Sequence, residues 1–329
     1  MERNKRIAYL LFIALFVIVS FNLGICAQEI VVSGGSIGGT SNLAISAIAA
    51  IGSQYCDLSP TVISTPTMAQ VDVLEDHEAV VATTPGYLTY NAFNGLGKWE
   101  GKPFTEVRSL TNRPNSQMQI AVLKESPIQN VVDLKGKRLV MGKRGFTAAE
   151  LGAEMFDALG IDVENDLTPL YLGHADARAA LVSNKADAYL LTGGYPHSSL
   201  IELSEMHDEG IRLVNITEEQ MNTILDKKPF FRAKTIEAIY KGMEKGIVTA
   251  EYVNVFGCVD LSEEIAYCLT KNYWEHLDFA ALQWDAIGKL KLEDTSDIKG
   301  VAPWHIGAYR YYTEVGLEIP DEMIPPEAR

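Results

Sequence analysis

Glu29-Ile30-Val31-Val32-Ser33 runs into Gly34-Gly35-Ser36-Ile37-Gly38-Gly39-Thr40, and Leu43, Ile45, Ile48 and Ile51 then recur at helical spacing. An apolar run of strand length, a glycine loop and an amphipathic helix form the opening unit of an α/β layer. The grammar repeats. Thr61–Ser64 predicts a second strand that ends at Thr65-Pro66-Thr67, with a helix over 68–75, and Ala79–Thr84 predicts a third strand. A second run begins at Gln119–Leu123, continues through Arg138–Gly142, and enters a helix over 147–159, where Thr147 and Glu150 have capping-box spacing. Leu170–Leu172, a helix over 175–183 and Ala188–Leu191 complete it. Alternation of this kind predicts a mostly parallel sheet with helices on its faces. From Phe230 the chain reads as irregular, before an apolar run at Tyr252–Cys258 and a long helix over 262–282 that Ser262, Glu263 and Glu264 start.

The N-terminus carries Arg3, Lys5 and Arg6, an apolar run from Ile7 to Leu23, and a small residue at Ala27. That is the outline of an export signal over residues 1–27, with a retained anchor as the competing reading. Leu23 lies three residues before Cys26, as in a lipidated export signal, but Ile25 is too bulky for that processing. Cleavage removes three of the 28 basic residues and one of the 43 acidic ones, leaving a net charge of −17. Such a surface repels nucleic acid, and no basic, aromatic-interleaved patch offsets it. Three cysteines remain, Cys56, Cys258 and Cys268, so at most one internal pair forms. Cys258 with Cys268 closes a short loop, whereas buried free thiols are the plainer reading. A mature chain of about 300 residues exceeds one typical domain, which predicts two lobes.

In open parallel sheets, ligands bind at the carboxyl ends of the strands, where helix N-termini aim backbone N–H groups outward. Ser36, Gly38, Gly39 and Thr40 on one side, and Arg144, Gly145 and Thr147 on the other, are placed to face each other across a cleft. The strand-end loops add Thr65, Thr67, Thr84, Tyr87, Gly194 and Tyr195. An anionic group suits this geometry, although Gly34–Gly39 read alone is a plain strand-to-helix turn and Arg144 a solvated charge. The glycine loop fails the G-x-G-x-x-G spacing and has no Walker lysine, so neither a dinucleotide nor a nucleotide cofactor is expected. The six histidines show no metal-ligand spacing, no C-x-x-C occurs, and no serine sits in a nucleophile elbow. No metal, cofactor or catalytic set is expected.

Three segments carry a family resemblance. Ser33–Thr40 resembles the glycine loop that opens the TAXI-type solute receptors of TRAP transporters. Val132-Asp133-Leu134-Lys135-Gly136-Lys137-Arg138, with Lys185–Tyr189 and Gly194-Tyr195-Pro196 downstream, is similar to the second lobe of that family. Pro303-Trp304-His305-Ile306-Gly307-Ala308-Tyr309-Arg310-Tyr311-Tyr312-Thr313-Glu314-Val315-Gly316 resembles its C-terminal P-x-H-P-G-A-x-R-Y-Y-x-E-x-G, with Ile306 in place of proline. We read this tail as structural packing. The resemblance implies a periplasmic-binding-protein fold of type II, with two doubly wound α/β lobes and a ligand cleft between them. It places lobe 1 at 28–113 plus 230–329 and lobe 2 at 114–229. It implies an extracytoplasmic, non-enzymatic receptor that closes on a small solute, an organic acid or amino acid, and delivers it to a fused TRAP membrane subunit. An ABC-type or sensor-linked receptor of the same fold, or an exported enzyme built on it, are the alternatives.

The pocket loops depart from the family pattern. Thr67-Met68 stands where the family often has Gly-Ser, and Gly145-Phe146-Thr147-Ala148 where it has G-S-G-T. Larger, more apolar side chains there predict a ligand with an apolar portion against Phe146 and Tyr87 and an acid group near Arg144.

Overall fold

The structure is a computed structural model, and it describes residues 27–35, 37, 40–296 and 298–329. The export signal read over residues 1–27 lies outside it but for Ala27, and so do Ser36, Gly38 and Gly39 of the glycine loop.

The chain opens as the sequence predicts. β1 (Gln28–Gly34) leads to α1 (Thr40–Tyr55), β2 (Leu58–Ser64), α2 (Gln70–Glu75), β3 (Val81–Pro85) and α3 (Gly86–Asn94). β4 (Arg108–Leu123) then carries the chain across to a second set: β5 (Arg138–Val140), α4 (Thr147–Ala158), α5 (Val163–Asp166), β6 (Thr168–Leu170), α6 (His174–Val182), β7 (Ala188–Gly193) and α7 (Ser198–Met206). β8 (Ile211–Leu213), α8 (Glu218–Lys227), β9 (Phe231–Ile236) and β10 (Ile247–Cys258) bring it back, and α9 (Glu263–Glu275), α10 (Leu277–Ala280) and α11 (Ile306–Glu314) follow.

These ten strands form one sheet in the order β2-β1-β3-β10-β4-β7-β5-β6, with β8 on β4 and β9 on β10. Within each set the strands are parallel: β1 pairs with β2 and β3, and β5 with β6 and β7. The expectation of a mostly parallel sheet fails in the middle. β4 and β10 run antiparallel to each other, and β10 is also antiparallel to β3 and β9, as β4 is to β7 and β8. The reason is topological, because one strand leaves the first set and the other returns to it.

Burial explains the elements. α1 hides Ala44, Ile45, Ala47, Ile48, Ile51 and Gly52, the i, i+3, i+4 face of an amphipathic helix. It packs with α9 and α11 over β1, β3 and β10, in a core that includes Leu269, Tyr273, Trp304 and Tyr312. Complete burial of one such isoleucine contributes about 1.5–3 kcal/mol. Gly307 allows α11 to cross α9, since a Cβ there would sit 2.2 Å from the carbonyl oxygen of Glu263. The tail that begins at Pro303 is therefore packing, as its tyrosine-rich sequence suggested. A second core, with Tyr87, Met118, Met155, Phe156, Phe230 and Tyr252, runs continuously from the first strand set to the second.

Several local expectations are corrected. Thr147 and Glu150 form no capping box: Phe146, extended at φ −105° and ψ 155°, holds the N-cap position of α4 and has no acceptor to offer. The helix expected over 262–282 breaks at His276 and resumes as α10. The helix expected over 68–75 starts as a 3₁₀ turn at Thr67–Ala69 and becomes α-helical only from Gln70. The stretch after Phe230 is strand β9, whose mostly solvated FRAKTI sequence has no apolar periodicity. Cys268 does not pair with Cys258. It is bonded to Cys56 across 212 positions, with Cα atoms 5.9 Å apart, while Cys258 is a buried thiol whose pKa is raised by desolvation.

Candidate functional site

The loops that close the two strand sets hold the candidate site. At the first set, β1 ends at Gly34, where an added Cβ would meet Ile45 Cγ2 at 2.5 Å and the chain of α1 at 3.0 Å. Glycine is thus required for the helix to start this close to the strand. The fully buried Gln70 ties the neighbouring loop to it, donating from Nε2 to the carbonyls of Gly34 at 2.8 Å and Thr65 at 2.7 Å. Ser64 donates to the Gly35 carbonyl at 2.9 Å. Thr40 is the first residue of α1 and exposed, and Thr65 and Thr67 are half-buried beside the loop.

Thr84 and Tyr87 lie deeper than the sequence suggested. Thr84 is fully buried and donates to the Val255 carbonyl at 3.5 Å, so it builds the wall of the first set. Tyr87 is also buried, with its hydroxyl against Met68 Sδ at 3.4 Å and its ring 5.5 Å from that of Phe230. Desolvation, with the Glu150 and Glu154 carboxylates of α4 second, raises the Tyr87 phenol far above its ordinary range. The start of α3 therefore lies near α4, whose Ala149, Leu151 and Met155 share the core of Tyr87.

At the second set a pocket of about 310 Å³ is lined by Gly142, Lys143, Phe146, Thr147, Ala148, Leu172, Gly173, His174 and Thr192. It lies where β5, β6 and β7 end and α4 and α6 begin, the position that the α/β topology predicts for a ligand. Phe146 stands at its rim with 60% of its surface exposed. Arg144 is not among the lining residues. Its guanidinium stacks on Tyr171 at 3.8 Å and reaches Glu164 at 3.6 Å, on the exposed side of the loop with Gly145. Gly194 is exposed, and Tyr195 donates its hydroxyl to the Glu237 carbonyl, which occupies it structurally.

Sequence reasoning passed over Lys143, His174 and Thr192. His174 is identifiable only from the boundary of α6, which it opens. Its Nδ1 contacts the Tyr189 hydroxyl, and its ring centroid lies 5.3 Å from that of His197. Burial, with Arg178 and Lys143 nearby, lowers its pKa, and burial, with His174 as neighbour, lowers that of His197. Both shifts favour the neutral imidazoles, so His174 lines the pocket as an uncharged hydrogen-bonding group with His197 behind it. Among the described residues no three or more His, Cys, Asp or Glu side chains gather as a metal site, and no helix is long and apolar enough to cross a membrane.

Comparison with known proteins places this geometry. The Xanthomonas citri protein XAC2383, solved bound to ATP, superposes with a TM-score of 0.53 at 11% identity, covering 88% of this chain and 95% of its own. A TctC solute-binding protein from Polaromonas, solved with no ligand, gives 0.51 at 14% identity, covering 80% of this chain and 89% of its own. At these identities the likeness is one of fold, the periplasmic-binding-protein type with two strand sets and crossing strands. The profile of the NMT1-like family matches residues 33–316, from the last residues of β1 to the end of the tyrosine-rich tail. With nearly all the described chain inside that match, the protein belongs to the NMT1-like family.

Proposed function

We propose that this protein is an extracytoplasmic solute receptor that captures a small carboxylate-bearing molecule between two lobes, 28–113 plus 230–329 and 114–229. The observation that carries the reading is the pocket at Gly142–Ala148, His174 and Thr192, which opens at the strand ends of one parallel set. Among the described strands β10, on β3, and β4, on β7, join the two sets by pairing with each other, and a pair of strands that crosses between lobes is the connection about which such lobes hinge. Phe146 at the rim supports a solute with an apolar portion, and Lys143 with the N-termini of α4 and α6 supports an acid group. Delivery to a fused TRAP membrane subunit is the finer part of the reading. It rests on the resemblance of Ser33–Thr40 and Pro303–Gly316 to TAXI-type receptors. Thermal-shift measurement of the exported protein against amino acids, dicarboxylates, 2-oxoacids, sulfonates and neutral solutes tests it. A solute at one hundred times its dissociation constant adds about 2.7 kcal/mol of stability. A reproducible rise with one carboxylate class is the expected result, and no rise with any solute refutes the receptor reading.

A further inference from the structure

Arg113 is a buried cation without a carboxylate partner among the described residues. It is 4% exposed, and the only hydrogen bond it makes among the described residues runs from Nη2 to Asn254 Oδ1, at 3.0 Å, while Nε has none. Arginines are rarely buried unless paired, because the desolvation of the charge needs an offset. Burial lowers its pKa to about 10, so the guanidinium remains charged at pH 7.

Its neighbours share the peculiarity. Arg113 pairs with Asn254 across β4 and β10, and Asn254 pairs with Pro85 of β3. One row on, Thr111, Phe256 and Thr83 are paired in the same way, and residues paired in a ladder present side chains to the same face. This is the face covered by α9, since Trp274 Nε1 donates to Thr111 Oγ1 at 2.9 Å and the Tyr273 ring lies edge-on to Phe256 at 5.7 Å. The Tyr273 hydroxyl and Thr83 Oγ1 are both fully buried and both without a hydrogen-bond partner among the described residues. Two of these orphaned groups, Arg113 and Thr83, fall in adjacent rows of the ladder, and the third, Tyr273, comes from the helix α9 that covers them. Arg113 also lies near Tyr252, and Tyr252 near Thr192, a lining residue of the pocket in the second set.

We propose that Arg113, where β4 and β10 cross, is the anchor for the acid group of the solute, with the Tyr273 and Thr83 hydroxyls as supporting donors. The inference rests on the receptor reading and gives it a site nearer the crossing strands than Lys143. In a chain of net charge −15 a cation built into the interior offsets the repulsion of an anion, and a carboxylate or sulfonate satisfies a guanidinium with two parallel bonds.

The test compares the exported protein with Arg113→Gln and Arg113→Lys. The probes are glutamate, succinate, pyruvate and ethanesulfonate as anions, with glucose and nicotinamide as neutral solutes. The expected result is an anion-specific rise in Tm, with dissociation constants weakened about thirty-fold or more in Arg113→Gln and partly restored in Arg113→Lys. Without ligand, Arg113→Gln should melt no lower than the parent, since it removes an unpaired buried charge. Lower melting would mark a structural arginine and overturn the proposal. An anion response that survives in Arg113→Gln overturns it and leaves the receptor reading intact, as does a response to neutral solutes alone. No response to any probe removes both.

Discussion

Phe146 occupies the N-cap position of α4 in the extended conformation of a capping residue, yet has no side-chain oxygen to accept from the helix. If Phe146 contacts the proposed solute, helix stability and ligand contact pull in opposite directions at one position. Replacing Phe146 with Ser supplies the missing acceptor, so the ligand-free protein should gain up to about 1 kcal/mol, read as a higher Tm. The same change strips an apolar ring from the pocket rim, and affinity for solutes with an apolar portion should fall about ten-fold in calorimetric titration. If both quantities fell together, Phe146 would be a packing residue. Single residues were the least legible part of the sequence. Thr147 with Glu150 matched the spacing of a capping box, but the chain enters the helix one residue earlier than that motif needs. Arg113 carried no signal at all, because its significance lies in what fails to pair with it, and a counter-charge can come from anywhere in the chain.

Helices and strands with an apolar period were legible, and those without one were not. α1 and α9 announce themselves by buried positions three and four apart, whereas β9, with three of its six residues exposed, looked irregular. Pairing between elements was equally hidden, and Cys56 with Cys268 is the example. The disulfide ties the end of α1 to α9 across 212 positions, and cross-linking so distant a pair constrains the unfolded chain strongly. Its reduction should lower stability by about 2–4 kcal/mol, measured as a drop in Tm with reductant. Alkylation of the denatured protein expressed without residues 1–27 should count one thiol before reduction and three after. A second prediction concerns the start of α11. His305 Nδ1 accepts from the Gly307 amide at 3.1 Å while Nε2 donates to the Leu261 carbonyl at 3.0 Å, a pairing that only the neutral ring can make. Burial accordingly lowers the His305 pKa below 6.5. A group whose folded pKa is depressed binds protons more readily when unfolded, so its contribution is complete above about pH 6.5 and is lost as pH falls below that value. His77, raised by its bond to Asp260, acts in the reverse sense, so the readout is a difference between proteins. The wild type should lose about 1 kcal/mol more than His305→Asn between pH 7.5 and pH 5, by thermal melts across that range. Equal slopes would show that the cap survives protonation.

At the scale of the molecule, the alternation of strand and helix in two runs was enough to specify an α/β fold, since each run carries apolar faces that a sheet with helices on it buries. The antiparallel crossing in the middle was not visible. β4 is a continuous sixteen-residue strand, of which the sequence pattern revealed only the last five residues, because Asn112–Gln117 is polar. That polar stretch is where β4 hands its pairing from β10 to β7, with a register shift in β10 between Tyr252 and Asn254. Irregular pairing and buried polar groups leave this segment less apolar contact than the cores on either side, which suits a hinge. If the two strand sets close about it, a bound solute should reduce the radius of gyration by about 0.5–1 Å in small-angle scattering, as hinge closure around a ligand does. The continuous core from Tyr87 through Phe230 to Met155 opposes wide opening, so the ligand-free population should already be partly closed. Ala in place of Phe230 removes a ring from that core. It should therefore enlarge the ligand-free radius and, with the same solute, increase the contraction on binding. A radius that is the same with and without solute, in both proteins, would mean that the sheet behaves as one rigid body and that solute enters without lobe movement.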